Sequence, residues 1–263
     1  MKMTAAVLEE CGKPLKLLDL EIPKLKKGQV LVKIAYSAIC RSQLMEINGS
    51  RGHDQWLPHL LGHEASGVVA DVGAEVKKVK VGDEVILSWI KSSGIEASTP
   101  EYSHKGRTIN AGPITTFSTY TIVSENRVTL KPNGLSFDVA VLFGCALATG
   151  SGMALNEIQP RESDLILVLG LGGIGTGALL TLLALGHKNI YAVDKDDAKC
   201  GFAKSLGVNV IKFTSERAFL SSVKSFVPGG FDYCIEAGGS SRTIELGFET
   251  LNSSSGTLLF ASH

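Results

Sequence analysis

The sequence lacks the features that identify several large classes of protein. Acidic and basic residues balance at 26 each, so no excess charge favours nucleic acid or an anionic membrane as a partner. No apolar run approaches the roughly 20 residues that a membrane-spanning helix needs, and the amino-terminal residues do not resemble a secretory signal. Five cysteines, without the spacing of a disulfide framework, indicate a reducing compartment. We therefore expect a cytoplasmic protein that binds neither nucleic acid nor membrane, with thiols that are free or ligate a metal.

Glycine, in contrast, is abundant, with 29 residues in a chain of 263, and one glycine-rich segment is informative. Leu165–Leu169 is an apolar run typical of a strand buried on both faces. A Gly-x-Gly-x-x-Gly pattern and an apolar helical run follow it, in the order that a dinucleotide-binding site requires. The glycines permit a tight turn, the approach of a pyrophosphate and close packing of helix on strand, while the helix N-terminus attracts phosphate. The residues expected to contact the cofactor are Gly170, Gly172, Gly173, Ile174 and Gly175.

A carboxylate follows the next predicted strand. Asp194 lies about 20 residues past the last glycine, where an acid accepts hydrogen bonds from the ribose hydroxyls of adenosine. Its charge repels a 2′-phosphate, so NAD is favoured over NADP, although Lys195 beside it partly offsets that charge. The alternative interpretation is a glycine-rich turn in an α/β protein that binds no nucleotide.

The pattern of predicted elements divides the chain into two domains. Residues 1–150 are mostly short strands and turns, with a polar loop predicted over 91–115. Residues 151–263 alternate strands and helices, which predicts a doubly wound parallel sheet. Five parallel strands are predicted where the usual dinucleotide-binding sheet has six, so we expect the last part of this domain to be missing. The predicted fold class is α/β, with a β-rich first domain and a parallel-sheet second domain.

Three residues of the first domain are candidate metal ligands. Cys40 follows a predicted strand, His63 precedes another, and Cys145 begins a helical stretch. Two thiolates and an imidazole suit zinc, and a catalytic zinc site has three protein ligands and an open fourth position. A buried cysteine that only packs, and a histidine that only forms hydrogen bonds, explain the same residues. Spacing alone leaves both interpretations open.

Five sequence blocks occur in a fixed order along nearly the whole chain. They are Cys40-Arg41-Ser42, Gly62–Val69, Val81–Val85, Gly144–Gly150 and Leu169–Gly175. Together they resemble the signature blocks of the zinc-dependent medium-chain alcohol dehydrogenases. The resemblance implies a GroES-like catalytic domain over residues 1–150 and a Rossmann dinucleotide-binding domain over 151–263. It also implies hydride transfer between NAD and an alcohol, with a primary or secondary alcohol, a polyol or a sugar alcohol as the substrate.

The resemblance implies roles for individual residues. One catalytic zinc ion per chain is expected, with Cys40, His63 and Cys145 as its ligands. A zinc ion there acts as a Lewis acid that lowers the pKa of the alcohol. Catalytic roles are implied for Ser42, which relays the hydroxyl proton, and for Glu64, which approaches the metal or instead pairs with a buried base. Cofactor contacts are implied for Arg41 at the pyrophosphate, Thr149 at the nicotinamide, and Lys199 at the adenosine ribose unless it is a solvated helix lysine.

The sequence departs from the family pattern in three places. Gln43 stands where the family usually has an aspartate that orients a zinc-ligating histidine. Residues 91–110 contain no cysteine, so the family's second, structural zinc is not expected. The chain also ends early, which leaves open the homo-oligomer usual for the family. The alternative functions are a shortened, non-catalytic dinucleotide-binding relative and a zinc-free reductase of the same superfamily.

Overall fold

A computed structural model describes residues 1–261, which form two compact units. The first unit is Met1–Cys145 and the second begins at Ala146, whereas the sequence analysis placed the domain boundary after residue 150. Residues 262 and 263, the end of the predicted dinucleotide-binding domain, lie outside the described part of the chain.

The first unit contains two five-stranded sheets. One has the order β4-β1-β2-β7-β8, with strands at Lys2–Leu8 (β1), Lys16–Glu21 (β2), His59–Leu60 (β4), Tyr102–His104 (β7) and Arg107–Ile109 (β8). The other has the order β10-β6-β5-β3-β9, with strands at Gln29–Ser37 (β3), Glu64–Val72 (β5), Glu84–Ser88 (β6), Tyr120–Ser124 (β9) and Val128–Leu130 (β10). Among the described residues, the strand pairings in both sheets are antiparallel. Strand β1 alternates exposed and buried residues, whereas β3 and β5 each begin with four consecutive buried residues, so the second sheet is covered on both faces there.

Two short helices of this unit matter for the site described below. Helix α1 spans Arg41–Ile47, directly after β3, and helix α2 spans Phe137–Ala140. A 3₁₀ turn over Val141–Gly144 continues α2 to the end of the unit. Cys40 immediately precedes α1, and Cys145 immediately follows the 3₁₀ turn.

The prediction of a polar loop over residues 91–115 was partly wrong, because β7 and β8 form a hairpin within this segment. Lys105 and Gly106 both have positive φ, 49° and 81°, as the tightest hairpin turns require. Tyr102 and Ile109 flank the turn and are almost fully buried. These two buried side chains anchor the short hairpin. The sequence pattern did not predict it, because the surrounding residues are polar.

The second unit is built around a parallel sheet with the order β13-β12-β11-β14-β15. Its strands are Ile166–Leu169 (β11), Ile190–Val193 (β12), Asn209–Val210 (β13), Tyr233–Glu236 (β14) and Thr257–Phe260 (β15). All four pairings are parallel, and β11 is buried along its whole length, as the apolar run predicted. Five parallel strands are present among the described residues, in the order of a dinucleotide-binding sheet.

Helices connect these strands and cover the sheet. They are α3 (Ala146–Gly152), α4 (Gly173–Ala184), α5 (Asp197–Ser205), α6 (Glu216–Phe226) and α7 (Ser241–Glu249), with a π-helical turn at Met153–Ile158 continuing α3. Glycines let α3 and α4 pack almost backbone to backbone. A Cβ on Gly150 would lie 2.0 Å from the carbonyl oxygen of Ile174, and one on Gly177 would lie 3.0 Å from Cα of Leu147.

Along residues 1–261, no single helix has the length and apolar composition needed to cross a membrane. The bent pair Phe137–Gly144 and Ala146–Ile158 meets that test only when its two segments are counted together.

Candidate metal centre and dinucleotide site

Four donor side chains from distant parts of the sequence meet in the first unit. The ligand atoms of Cys40, His63, Glu64 and Cys145 all lie within 4.8 Å of one another. Glu64 and Cys145 are buried, and Cys40 and His63 are half-buried. The structure therefore brings together the three ligands that the sequence analysis named, with the expected acid beside them.

Each of the three predicted ligands lies at the end of a helix, a strand or a turn. Cys40 is the N-cap residue of α1, and His63 lies in the turn between β4 and β5. Gly62 before it has φ +90°, and a Cβ there would come within 2.3 Å of Thr116 Oγ1, so only glycine fits this turn. Gly144 has the same role for Cys145, because a Cβ at position 144 would lie 2.7 Å from Cβ of Glu64.

The two thiols form an electrostatically asymmetric pair. The Cys145 side chain first, and then the side chains of His63 and Ser42, lower the pKa of the Cys40 thiol to about 3 against the opposing effect of burial. The pKa of Cys145 is raised by its hydrogen bond to Cys40, by burial and by the negative charge of Glu64. The surroundings of Cys40 therefore favour its thiolate, which is the form of cysteine that ligates metals.

His63 is held by Gln43, the residue that replaces the family's usual acid. Gln43 Nε2 lies 2.7 Å from His63 Nδ1, and the Gln43 side chain is only 4% exposed. The other ring nitrogen, His63 Nε2, is buried and has no hydrogen-bond partner among residues 1–261. Buried polar atoms are nearly always paired, so an unpaired imidazole nitrogen beside two sulfurs is the signature of a site for a ligand.

This donor set fits a zinc ion. Two sulfurs and one imidazole nitrogen match the borderline-soft character of zinc, and three protein ligands are the number that catalytic zinc sites use. The buried His63 Nε2, which has no hydrogen-bond partner among residues 1–261, and the lowered pKa of the Cys40 thiol suit ligation once the ring carries its proton on Nδ1. Glu64 has its carboxylate in the same cluster.

Two further residues border the cluster. The Ser42 hydroxyl is buried and lies beside the Cys40 sulfur, whose pKa it helps to lower. The indole of Trp89 donates to the Cys145 sulfur and opposes the rise of its pKa. Trp89 is 46% exposed, so it does not belong to the core. A tryptophan directly after a strand that ends near the metal ligands was the available signal, and it is weak.

A second group of potential ligands, Glu46, Asp54 and His59, does not fit a metal as well. His59 Nε2 lies 2.8 Å from Asp54 Oδ2, and its Nδ1 lies 2.9 Å from the carbonyl oxygen of Leu60. Both ring nitrogens of His59 therefore already have oxygen partners, unlike Nε2 of His63.

In the second unit the glycine-rich turn joins β11 to α4. Gly170 has φ +95°, and a Cβ there would lie 2.7 Å from the backbone nitrogen of Gly238. A Cβ on Gly175 would lie 1.8 Å from the carbonyl oxygen of Gly170, so helix and turn pack too closely for any side chain. Gly172, the N-cap of α4, has open space around its Cβ position. A ligand can therefore approach the backbone there, at the N-terminus of a helix.

The predicted ribose-binding acid lies beside this turn. Asp194 follows β12, and its Oδ2 accepts a 2.6 Å hydrogen bond from the backbone N–H of Leu171. Lys199 Nζ lies 3.8 Å from the same carboxylate, so the two predicted cofactor residues are neighbours. Thr149 is half-buried on α3, and Arg41 is exposed at the first position of α1.

Two family models match the chain. The alcohol dehydrogenase GroES-like domain matches residues 26–133, and the zinc-binding dehydrogenase family matches residues 173–262. Among curated proteins, alcohol dehydrogenase class-3 of Dictyostelium discoideum is 28% identical, over 93% of this chain and 72% of its own length. Alcohol dehydrogenase class-2 isozyme 2 of Oryctolagus cuniculus is also 28% identical, over 93% of this chain and 73% of its own.

Solved structures show the same fold. An alcohol dehydrogenase zinc-binding domain protein from Burkholderia ambifaria superposes with a TM-score of 0.89 at 23% identity. Benzyl alcohol dehydrogenase from Acinetobacter calcoaceticus superposes with a TM-score of 0.86 at 24% identity. In both cases the superposition covers 100% of this chain and 77% of the other, so this chain is shorter than its structural neighbours.

Proposed function

Because the chain belongs to the zinc-dependent medium-chain alcohol dehydrogenase family, we propose that it is an oxidoreductase that transfers a hydride between a small alcohol and NAD. The observation that carries this proposal is the convergence of Cys40, His63 and Cys145 within 4.8 Å. The proposed compartment is the cytoplasm, because both cysteines must stay reduced to ligate a metal.

In this proposal Cys40, His63 and Cys145 hold one zinc ion. When bound, the zinc supplies Lewis-acid chemistry, which favours the deprotonated form of the alcohol. The protein's own contribution is to keep the ligands in place: Gly62 and Gly144 fix the backbone, and Gln43 fixes the ring of His63. We assign Ser42 the first step of proton removal, because its buried hydroxyl lies beside the Cys40 sulfur.

The second unit supports the proposed cofactor. The open backbone at Gly172 and the N-terminus of α4 would hold the pyrophosphate of NAD, and the bound cofactor would supply the hydride acceptor. Asp194 would accept hydrogen bonds from the adenosine ribose, with Lys199 beside it. A carboxylate at this position disfavours the extra phosphate of NADP.

A second candidate function is a dinucleotide-binding protein without turnover. The observation that favours it is Gln43, because an amide stands where the resemblance leads us to expect an acid. Such a protein would bind NADH with normal affinity but oxidise no alcohol.

The experiment compares Cys40→Ala with Cys11→Ala. Cys40 belongs to the donor cluster, whereas Cys11 is half-buried and outside it. We expect one zinc per chain in the wild type and in Cys11→Ala, and loss of both zinc and NADH formation with a panel of alcohols in Cys40→Ala. Equal zinc contents in the two variants would contradict the proposed site. Zinc and NADH binding with no oxidation of any alcohol would favour the second candidate.

A further inference from the structure

The hydrogen bonds of Gln43 determine which nitrogen of His63 is available to a metal. The backbone N–H of Cys40 donates to Gln43 Oε1 at 3.2 Å, as part of a capping box at the start of α1. A backbone N–H can only donate, so this contact identifies the amide oxygen. The amide nitrogen of Gln43 must then be the group that lies 2.7 Å from His63 Nδ1.

An amide nitrogen is a donor, so His63 Nδ1 is the acceptor in this pair. A neutral imidazole that accepts at Nδ1 carries its proton on Nε2, the nitrogen that is buried beside the sulfurs. Ligation of a metal through Nε2 requires the opposite tautomer, with the proton on Nδ1. The ring then needs an acceptor at Nδ1, which Gln43 provides only if its amide turns over.

Turning the amide releases the N–H of Cys40. The Gln43 side chain is buried, and its single oxygen lies 3.2 Å from Cys40 N. That oxygen can accept a hydrogen bond from the Cys40 N–H or from the ring N–H of a ligating His63, but not from both. A carboxylate has two acceptor oxygens and satisfies both donors at once. Proton count on the ring is conserved in this exchange, because one proton leaves Nε2 and one arrives on Nδ1.

We propose that Gln43 is a positioning residue that weakens zinc binding by making ligation through His63 Nε2 compete with the N-terminal cap of α1. This inference rests on the metal site of the proposed function. With the other ligands unchanged, the site is expected to bind zinc more weakly with glutamine at position 43 than with a carboxylate there.

The test measures zinc affinity by competition with a chromophoric chelator in the full chain. We expect Gln43→Glu to bind zinc about tenfold more tightly than the wild type, and Gln43→Met, which offers neither hydrogen bond, to bind it about tenfold more weakly; residues that orient metal ligands commonly change affinity by such factors. Equal affinities in all three proteins, or weaker binding in Gln43→Glu, would overturn the proposal.

A second readout separates the hydrogen-bond argument from the added charge of glutamate. With zinc bound, the backbone amide of Cys40 should exchange with deuterium faster in the wild type than in Gln43→Glu, because only the carboxylate still accepts from it. Equal exchange rates would overturn the proposal. If Gln43→Glu does not fold, the Cys40 amide of the wild type decides alone: faster exchange with zinc bound than in the metal-free protein supports the inference, and an unchanged rate refutes it.

The outcomes also distinguish this inference from the proposed function. If the wild type binds no zinc, or if Cys40→Ala binds it equally well, both ideas fail. If zinc binding depends on Cys40 but not on the residue at position 43, only the role of Gln43 fails.

Discussion

The segment over residues 91–110, where the sequence predicts that the family's structural zinc is absent, is held by a buried carboxylate, which makes Glu125 a sharp test of the fold. Glu125 is 3% exposed. Its Oε1 accepts from the backbone N–H groups of Lys77 at 2.5 Å and Lys78 at 2.6 Å, and its Oε2 accepts from Ile95 at 2.9 Å. One side chain therefore connects two loops of the first unit.

The substitution Glu125→Gln keeps the size of the side chain but replaces one acceptor oxygen by a donor. At least one of the three backbone N–H groups then loses its partner, which costs about 1–3 kcal/mol for a buried donor. The remaining hydrogen bonds lose their charge-assisted character, which weakens each of them by about half. We therefore expect the free energy of unfolding of the first unit to fall by about 3 kcal/mol, equivalent to roughly 6–12 °C in the midpoint temperature.

The contribution of Glu125 also depends on pH. Burial raises the pKa of this carboxyl group, but the N–H groups of Ile95, Lys77 and Lys78 outweigh burial and lower it below the usual 4.5. A carboxyl group with a lowered pKa stabilises the folded state above the unfolded-state pKa. That stability is lost as the pH falls through the folded-state pKa. The difference in stability between wild type and Glu125→Gln should therefore be complete at pH 7 and shrink as the pH falls below 4.5.

The assay is urea unfolding combined with amide hydrogen exchange at Ile95. The matched control is Glu101→Gln, which changes an exposed acid of the same unit and should alter stability by less than about 0.5 kcal/mol. A Glu125→Gln variant as stable as the control, or one in which the amide of Ile95 keeps its protection, would refute the reasoning.

The remaining predictions concern the cofactor site. Asp194→Ala should weaken NAD binding and improve the use of NADP, because it removes the charge that repels a 2′-phosphate; steady-state kinetics with both cofactors measures this, and an unchanged preference would contradict the assignment. Gly175→Ala should impair folding of the second unit, because its Cβ would lie 1.8 Å from a carbonyl oxygen. Gly172→Ala should fold normally, since its Cβ meets open space, yet bind NADH more weakly in a fluorescence titration. Equal NADH affinity of Gly172→Ala and wild type would argue against pyrophosphate binding at this turn.

Local signals in the sequence were sufficient for the second unit. The apolar run before Gly170 predicted the buried strand β11, and the glycine pattern predicted the turn into α4, because both depend on neighbouring residues. The metal ligands were different. Cys40 and Cys145 are far apart in the sequence, and their convergence depends on the pairing of whole sheets. Spacing alone therefore left the zinc interpretation open, and the resemblance to the family supported it.

Other features depended on details that no pattern of residue types contains. The role of Gln43 follows from which end of an amide faces a backbone N–H, and the role of Glu125 from three donors that two loops bring to one carboxylate. Such contacts are properties of atomic positions. The sequence showed only that an amide replaces the family's acid at position 43 and that cysteines are missing from residues 91–110.

All four donors of the cluster belong to the first unit, and this has a thermodynamic consequence. A cation captured there binds only after α1, β5 and the turn before Cys145 have formed, so its binding energy adds to the stability of that unit by mass action. The melting temperature of the first unit should therefore rise with the concentration of free zinc. The second unit contributes none of these four donors, so calorimetry should show the effect of zinc on the unfolding of the first unit.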